Sequence, residues 1–362
     1  MKIIRFILMA FLICWAVVPA WAVSVPEELT DGLPGEAEQI LDGINGGLYD
    51  HGSLLLGVEK MWHTARDGFL SLFRDNINGL VLLLGVVLLC GVLEDLRRSS
   101  DSPGPNVVSI AGALVITMFS VGSLRNLIGM GMETMEELDV FAKTLLPTLS
   151  AAVAAGGGMV SAGVNQVATV YFTSIMISLI RSVLLPLVYC YIAVSVADAI
   201  LPEHDLKQIQ KGIDKVTTRG LTGLLLAFTC FLTLTKAAGA AADSTTVRLT
   251  RSAISTAIPV VGGIVSDATE SVLASAGILK SSIGIFGMLG VLAICLTPFL
   301  HLAVQFMLYK LTGFLTATVG AKPLVELIDA LGTAFGLVLG MVGSCAILLL
   351  ISVAMSVSVV VT

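Results

Sequence analysis

LGTAFGLVLGMVGSCAILLLISVAMSVSVVV, residues Leu331 to Val361, carries no charged side chain. It is longer than the roughly 20 residues that cross the hydrocarbon core of a membrane. In hydrocarbon every backbone polar group must be paired within the protein, and a helix does this within one segment. This stretch therefore predicts a membrane-spanning helix.

Similar apolar blocks occupy most of the chain. They are Ile77 to Leu93, Val107 to Leu124, Leu145 to Val164, Ala168 to Leu201, Leu221 to Leu234 and Ile283 to Val319. The composition agrees, because 56% of the residues are hydrophobic, 13% are charged, and the mean hydropathy is +0.95. The predicted fold class is all-α, a polytopic transmembrane bundle of about six to eight spans.

Two blocks leave the number of spans open. Ala168 to Leu201 contains Arg181 and Pro186, so it fits either one long kinked helix or two short pieces. Ile283 to Val319 is predicted to form two spans that turn near Pro298.

The N-terminus predicts export of the segment that follows it. Lys2 and Arg5 precede an apolar centre, and Ala20-Trp21-Ala22 forms a small-x-small cleavage site, so residues 1–22 are interpreted as a signal peptide. An uncleaved signal anchor is the alternative. Residues 23–76 then form a short acidic extracytoplasmic segment, which ends in an amphipathic helix over Leu54 to Phe73.

Basic residues predict the orientation. Arg97-Arg98 marks one cytoplasmic loop, and a second is marked by Lys207, Lys211, Lys215 and Arg219. An even number of crossings must then separate the two loops. We accordingly expect Leu145 to Val164 to be re-entrant or interfacial, although its three glycines, Gly156 to Gly158, also suit a turn between packed helices.

The apolar blocks contain glycines at regular spacing and a few charged residues. Gly284, Gly287 and Gly290, together with Gly336 and Gly340, predict close helix packing. The charged residues inside apolar blocks are Arg181, Asp198 and Lys310. Each is explained by a helix break, a nearby loop or a side chain that reaches the interface, which favours structural roles over a transport route.

Soluble catalysis finds no support in the sequence. There is no phosphate-binding loop, no H-E-x-x-H, no G-x-S-x-G and no C-x-x-C, and the four histidines lack metal-ligand spacing. We therefore predict a protein that is not an enzyme, with no cofactor, no metal, no catalytic residue and no nucleic-acid partner.

The segment from Lys236 to Ser282 is too polar to span a membrane and too apolar for a free linker. Arg248 and Arg251 share one helical face, as do Asp267 and Glu270. A docking surface and a solvated helical hairpin explain this pattern equally well. The predicted organisation is thus 77–235 for the first membrane helices, 236–282 for this polar segment and 283–362 for the last membrane helices.

This segment also resembles a known family. Arg251-Ser252-Ala253, Ile258-Pro259-Val260-Val261-Gly262, Asp267 to Val272 and Leu279-Lys280 form ordered blocks similar to those of the stage III sporulation protein AE family. The similarity continues through Gly284-Ile285-Phe286-Gly287. It predicts assembly or docking residues, which are Arg248, Arg251, Pro259, Gly262, Asp267, Glu270 and Lys280.

The resemblance implies a role in endospore formation. The protein would be a non-enzymatic subunit of a secretion-like channel complex that links mother cell and forespore and sustains late forespore gene expression. It would lie in the mother-cell membrane around the forespore. Its implied partners are membrane lipid, sister stage III proteins including a cytoplasmic ATPase, a forespore-side protein and further copies of itself. The alternative function is an autonomous secondary transporter of a small solute.

Overall fold

The computed structural model describes residues 33–35, 37, 53–98, 107–156, 159–201, 206–257, 262–318 and 320–358. Every element in these ranges is helical. They are α1 (Ser53–Arg98), α2 (Val107–Ala155), α3 (Met159–Leu179), a π-helical turn (Ile180–Leu184), α4 (Leu185–Ile200), α5 (Lys207–Ala257), α6 (Gly262–Thr316) and α7 (Lys322–Val357). The predicted signal peptide lies outside the described residues.

Six stretches of these helices are long and apolar enough to cross a membrane. They are Trp62–Arg97, Val107–Ala155, Ala162–Ile200, Lys207–Thr235, Ala276–Thr316 and Lys322–Val357. The prediction of an all-helical, multi-pass membrane protein is therefore confirmed, and the count for the described chain is at the lower end of the predicted range. The signal peptide stays a prediction.

The centre of the bundle is formed by α6 and α7. In the most apolar window of each of these helices 61% of the residues are buried, against 22–33% in the other candidate spans. Phe286 and Phe335 are among the fully buried side chains, and Phe141 of α2 and Phe228 of α5 pack toward them from outside. Because lipid tails are as apolar as these side chains, close van der Waals packing rather than escape from water holds such helices together.

The prediction that Ile283 to Val319 turns near Pro298 is wrong. Helix α6 continues through Pro298 from Gly262 to Thr316. A proline removes one backbone hydrogen bond, and packed neighbours and local side chains compensate for that loss in membrane helices. Here the His301 ring nitrogen Nδ1 lies 3.0 Å from the Thr297 carbonyl oxygen, which accepts a hydrogen bond from it.

Leu145 to Val164 covers the end of one long helix and the start of the next, and its re-entrant or interfacial position in the membrane stays a prediction. Helix α2 runs to Ala155, and α3 begins at Met159, so the glycines fall between two long helices. Ser150 Oγ donates a hydrogen bond of 2.8 Å to Gln166 Oε1 across this connection. The alternative, a turn between packed helices, describes this part of the chain, because glycine tolerates the tight backbone that a break needs.

Ala168 to Leu201 forms one interrupted helix. Helices α3 and α4 are continuous through the π-helical turn, which comes directly before Pro186. A π-helical turn inserts one extra residue into the helix and is a common accommodation of such an interruption. Arg181 lies within it, at the break where the sequence placed it.

The second basic group does not lie in a loop. Lys207 begins α5, so Lys211, Lys215 and Arg219 occupy its first turns. Two candidate spans, Val107–Ala155 and Ala162–Ile200, separate this group from Arg97-Arg98, which is the even number that the predicted orientation requires. The cytoplasmic assignment itself stays a prediction.

Candidate functional site

Five of the predicted docking residues lie beyond the candidate spans, at the far ends of α5 and α6. Arg248 and Arg251 belong to the last turns of α5, and Gly262, Asp267 and Glu270 to the first turns of α6. Pro259 lies outside the described residues, and Lys280 is half-buried within the first turns of the candidate span Ala276–Thr316. Their assembly role stays a prediction, and a docking surface and a solvated hairpin both stay open.

Gly284, Gly287 and Gly290, here called the glycine seam, lie buried on α6. A Cβ added at Gly290 would lie 2.5 Å from Phe141 Cζ, and one at Gly287 would lie 2.5 Å from Leu145 Cδ2. The seam therefore brings the backbone of α6 directly against side chains of α2, as close approach of membrane helices requires. Gly284 makes the same kind of approach to Val357 of α7.

Gly336 and Gly340 on α7 differ in how tightly they pack. A Cβ at Gly336 would lie 3.0 Å from Phe306 Cδ2, so this position also packs tightly against α6. At Gly340 the nearest atom, Leu221 Cδ1, would be 4.0 Å away, which is ordinary contact. Whether either glycine takes part in association between copies stays a prediction.

A set of polar side chains from four helices lies close together and is here called the polar network. Its members are Lys310 on α6, Asp329 and Thr333 on α7, Tyr191 and Ser195 on α4, and Gln210 on α5. Polar groups inside membrane helices are costly when unpaired, so such a network holds its helices in one register.

Lys310 is the charged centre of the polar network. Its Nζ donates to Asp329 Oδ1 at 2.7 Å, to the Asp329 carbonyl at 3.1 Å and to Thr333 Oγ1 at 2.8 Å. These three bonds use every proton of the ammonium group. Lys310 therefore ties α6 to α7 rather than extending alone to the membrane surface.

The chain of contacts continues from α7 to α4 and α5. The Tyr191 side chain lies near Thr333 and Gln210. Gln210 Nε2 donates a hydrogen bond of 2.7 Å to Ser195 Oγ, which joins α5 to α4. Hydroxyl, amide and charged groups of four helices therefore lie near one another in the bundle.

Asp329 is a functional candidate that the apolar pattern does not reveal. Lys310 stands inside an apolar block, but the last apolar block begins at Leu331, so Asp329 falls just outside a predicted span. In the structure α7 begins nine residues earlier, at Lys322. The spacing of Lys322, Glu326 and Asp329 on one helical side was the available signal.

A second interhelical ion pair lies at the π-helical turn. Arg181 Nη2 contacts Glu136 Oε1 of α2, and both side chains are about half exposed. Exposed pairs add little stability, so this contact chiefly sets how α2 and α3 lie against each other. Within the described residues no group of three His, Cys, Asp or Glu side chains is arranged to hold a metal ion.

Removing Lys310 is expected to lower the free energy of unfolding by about 1 kcal/mol. This is the upper end of the range for exposed ion pairs, and it applies because the Lys310 side chain is 33% and the Asp329 side chain 58% exposed. Lys310→Leu should lower the thermal midpoint in detergent, and Lys310→Leu with Asp329→Leu should recover most of the loss, since no charge is then left unpaired. Lys211→Leu, at an exposed position of α5, is the control. Strictly additive effects would contradict this coupling.

Six long apolar stretches in the described residues, with α6 and α7 at their centre, define a polytopic helical membrane protein. A family model described as stage III sporulation protein AE matches residues 47–360. The chain belongs to the stage III sporulation protein AE family, and is thus a membrane protein of sporulating cells.

One curated relative is the stage III sporulation protein AE of Bacillus subtilis (strain 168). It is 23% identical over 267 residues, which cover 73% of this chain and 67% of the relative. No solved structure matches the chain.

Proposed function

We propose that this protein is a non-enzymatic membrane subunit of a secretion-like channel complex that links mother cell and forespore. It would be needed for endospore formation and late forespore gene expression. The observation that carries this proposal is the family match over residues 47–360, which extends across all seven helices. The family supplies the sporulation context, and the channel role is our inference.

The bundle supports a role in assembly rather than catalysis. Through the glycine seam, α6 packs closely against Phe141 and Leu145 of α2 and against Val357 of α7. Helices α5 and α6 also extend well past their candidate spans. At 1.5 Å per residue the 55 residues of α6 extend about 80 Å, whereas hydrocarbon is about 30 Å thick. These extensions offer surface outside the bilayer on which partner subunits can dock.

Energy for such a complex would come from a partner. The chain has no phosphate-binding loop of the G-x-x-x-x-G-K-[ST] type, so a cytoplasmic ATPase among the sister subunits would supply nucleotide hydrolysis. The membrane around the forespore is the proposed location.

Affinity purification in mild detergent from sporulating cells, at native expression, tests the proposal. We expect sister stage III subunits and an ATPase to co-purify, and heat-resistant spores to be lost when the gene is deleted. A protein that purifies alone, from cells whose deletion strain sporulates normally, would refute the channel-subunit role.

Changing Asp267→Ala together with Glu270→Ala is expected to leave membrane insertion intact and remove sister subunits from the purified material. Asp267 and Glu270 are three residues apart in the first turns of α6, outside the candidate span. The matched control, Asp75→Ala with Glu133→Ala, removes the same charge from exposed positions of α1 and α2. Normal co-purification and normal spore counts in the first variant would eliminate this docking surface.

The polar network gives the carrier alternative a specific basis, because Lys310 and Asp329 place a charged pair within candidate spans. A secondary carrier would transport its solute without partner subunits, so the purified protein by itself can be tested. Uptake of small solutes by the purified protein in vesicles, lost in Asp329→Asn, would favour this alternative over the channel-subunit role.

A further inference from the structure

One side of the bundle is apolar over the half that contains the α1–α2 connection. Leu89 of α1 is 66% exposed, and Met118 of α2 is 85% exposed. The two helices run side by side, since Ser109 Oγ donates to Glu94 Oε2 at 3.3 Å near that connection. Side chains of this kind, exposed along membrane-spanning helices, match lipid.

Charged groups of α6 and α7 lie at the same depth as Met118. Tyr309 donates a hydrogen bond of 2.8 Å from its hydroxyl to Ser120 Oγ, only two residues from Met118. Lys310 follows Tyr309 directly and is paired with Asp329. More than half of the Asp329 side chain, 58%, is nevertheless exposed. A carboxylate is therefore open to the surroundings at the depth where Met118 meets lipid.

A second ion pair lies nearer the end of the bundle, still within the apolar depth of α2. A Cβ at Gly112 of α2 would be 2.7 Å from Leu324 Cδ1. The first turn of α7 therefore lies at the same depth in the bundle as Gly112. Two residues after Leu324, Glu326 Oε2 pairs with Lys207 Nζ at 2.7 Å. On α2 the neighbouring Leu114 is 54% exposed. An ion pair of α5 and α7 thus lies at about the same depth as an exposed apolar side chain of α2.

Helix α5 extends this charged surface along its first turns. Lys207, Lys211, Lys215 and Arg219 recur every fourth residue, which places them on one helical side over about 18 Å. The last three are exposed. We name the surface formed by these four residues with Glu326 and Asp329 the polar wall.

Hydrocarbon does not accommodate such a surface. A charge at the centre of a membrane helix costs about 2.5–3.5 kcal/mol on insertion scales, and charged residues there face protein or a water-filled cavity. We infer that the polar wall borders a water-filled vestibule within the membrane, closed off from lipid on the α1–α2 side and open at the end where α1 and α2 connect. Its occupants are water and small ions, and it reaches in to Asp329 and Thr333.

Thiol accessibility in membrane vesicles tests this inference. In a cysteine-free background, single cysteines replace Lys215 and Asp329 on the polar wall and Leu89 and Met118 on the apolar side. Each variant is treated with a charged, membrane-impermeant maleimide and with a lipophilic one, in inverted and right-side-out vesicles. Because the thiolate is the reactive form and needs water, contact with water determines the rate.

We expect Lys215→Cys and Asp329→Cys to react with the charged reagent at least about tenfold faster than Met118→Cys and Leu89→Cys, from one side of the membrane only. Should Asp329→Cys fail to accumulate, Thr333→Cys, one turn further along α7, takes its place. Reaction at residue 215 with protection at both 329 and 333 would mean that α5 merely starts outside the bilayer, and it would overturn the vestibule. The inference rests on the bundle rather than on the proposed complex, because this readout is independent of co-purification.

Discussion

Replacing Gly290 by leucine is expected to prevent the protein from accumulating in membranes. Phe141 is fully buried, and its Cζ lies 2.5 Å from where even a Cβ at Gly290 would be, so a larger side chain forces α2 and α6 apart. Overpacking a tight core costs about 1–3 kcal/mol, and more where backbones must separate. Immunoblots of membrane fractions and thermal midpoints in detergent measure the effect.

Gly122→Leu is the matched control for this change. No atom lies within 4 Å of a Cβ at Gly122, and the position is exposed on α2 beside Val121. The same substitution should therefore be tolerated there. Equal loss of both variants would show that leucine in a glycine-rich helix, rather than the seam, causes the defect.

Placing a carboxylate at Met118 is expected to be the most damaging single surface change. Met118 is 85% exposed on the apolar side, so Met118→Asp puts a charge into hydrocarbon at a cost of about 2.5–3.5 kcal/mol. Val216→Asp is the control, since Val216 is 59% exposed beside Lys215 on α5. Next to a basic residue in contact with water, an aspartate should change little.

Membrane insertion, read as resistance to carbonate extraction, distinguishes the two variants. If carbonate extracts Met118→Asp but not Val216→Asp, Met118 is in contact with lipid and Val216 is in contact with water. If both variants extract equally, α5 lies in lipid like α2, and the polar wall has no aqueous side.

The glycine seam and the polar network hold different helices together. The glycine seam sets how closely α6 packs against α2 and α7. The hydrogen bonds of the polar network join α6 to α7 and α5 to α4. A change in Lys310 should therefore shift α7 relative to α6 without separating α2 from α6. This separation of roles allows assembly and ion contact to be tested with different variants.

The sequence by itself determined the class and the family. Runs such as Leu331 to Val361 predict membrane helices because each backbone bond must close within its own segment, a local requirement. The ordered blocks from Arg251 to Lys280 indicated the family that the match over 47–360 shows. The apolar runs and the family-like blocks are both formed by residues that are close together in the sequence.

Only the tertiary structure decided how the helices continue and what they contact. Pro298 was predicted to end a span, yet packing against other helices keeps α6 continuous, which no local preference reveals. Lys310 and Asp329 are 19 residues apart on different helices, yet Lys310 Nζ donates a hydrogen bond to Asp329 Oδ1. Pairing and depth depend on how helices meet, and that is a property of the packed bundle rather than of any one segment.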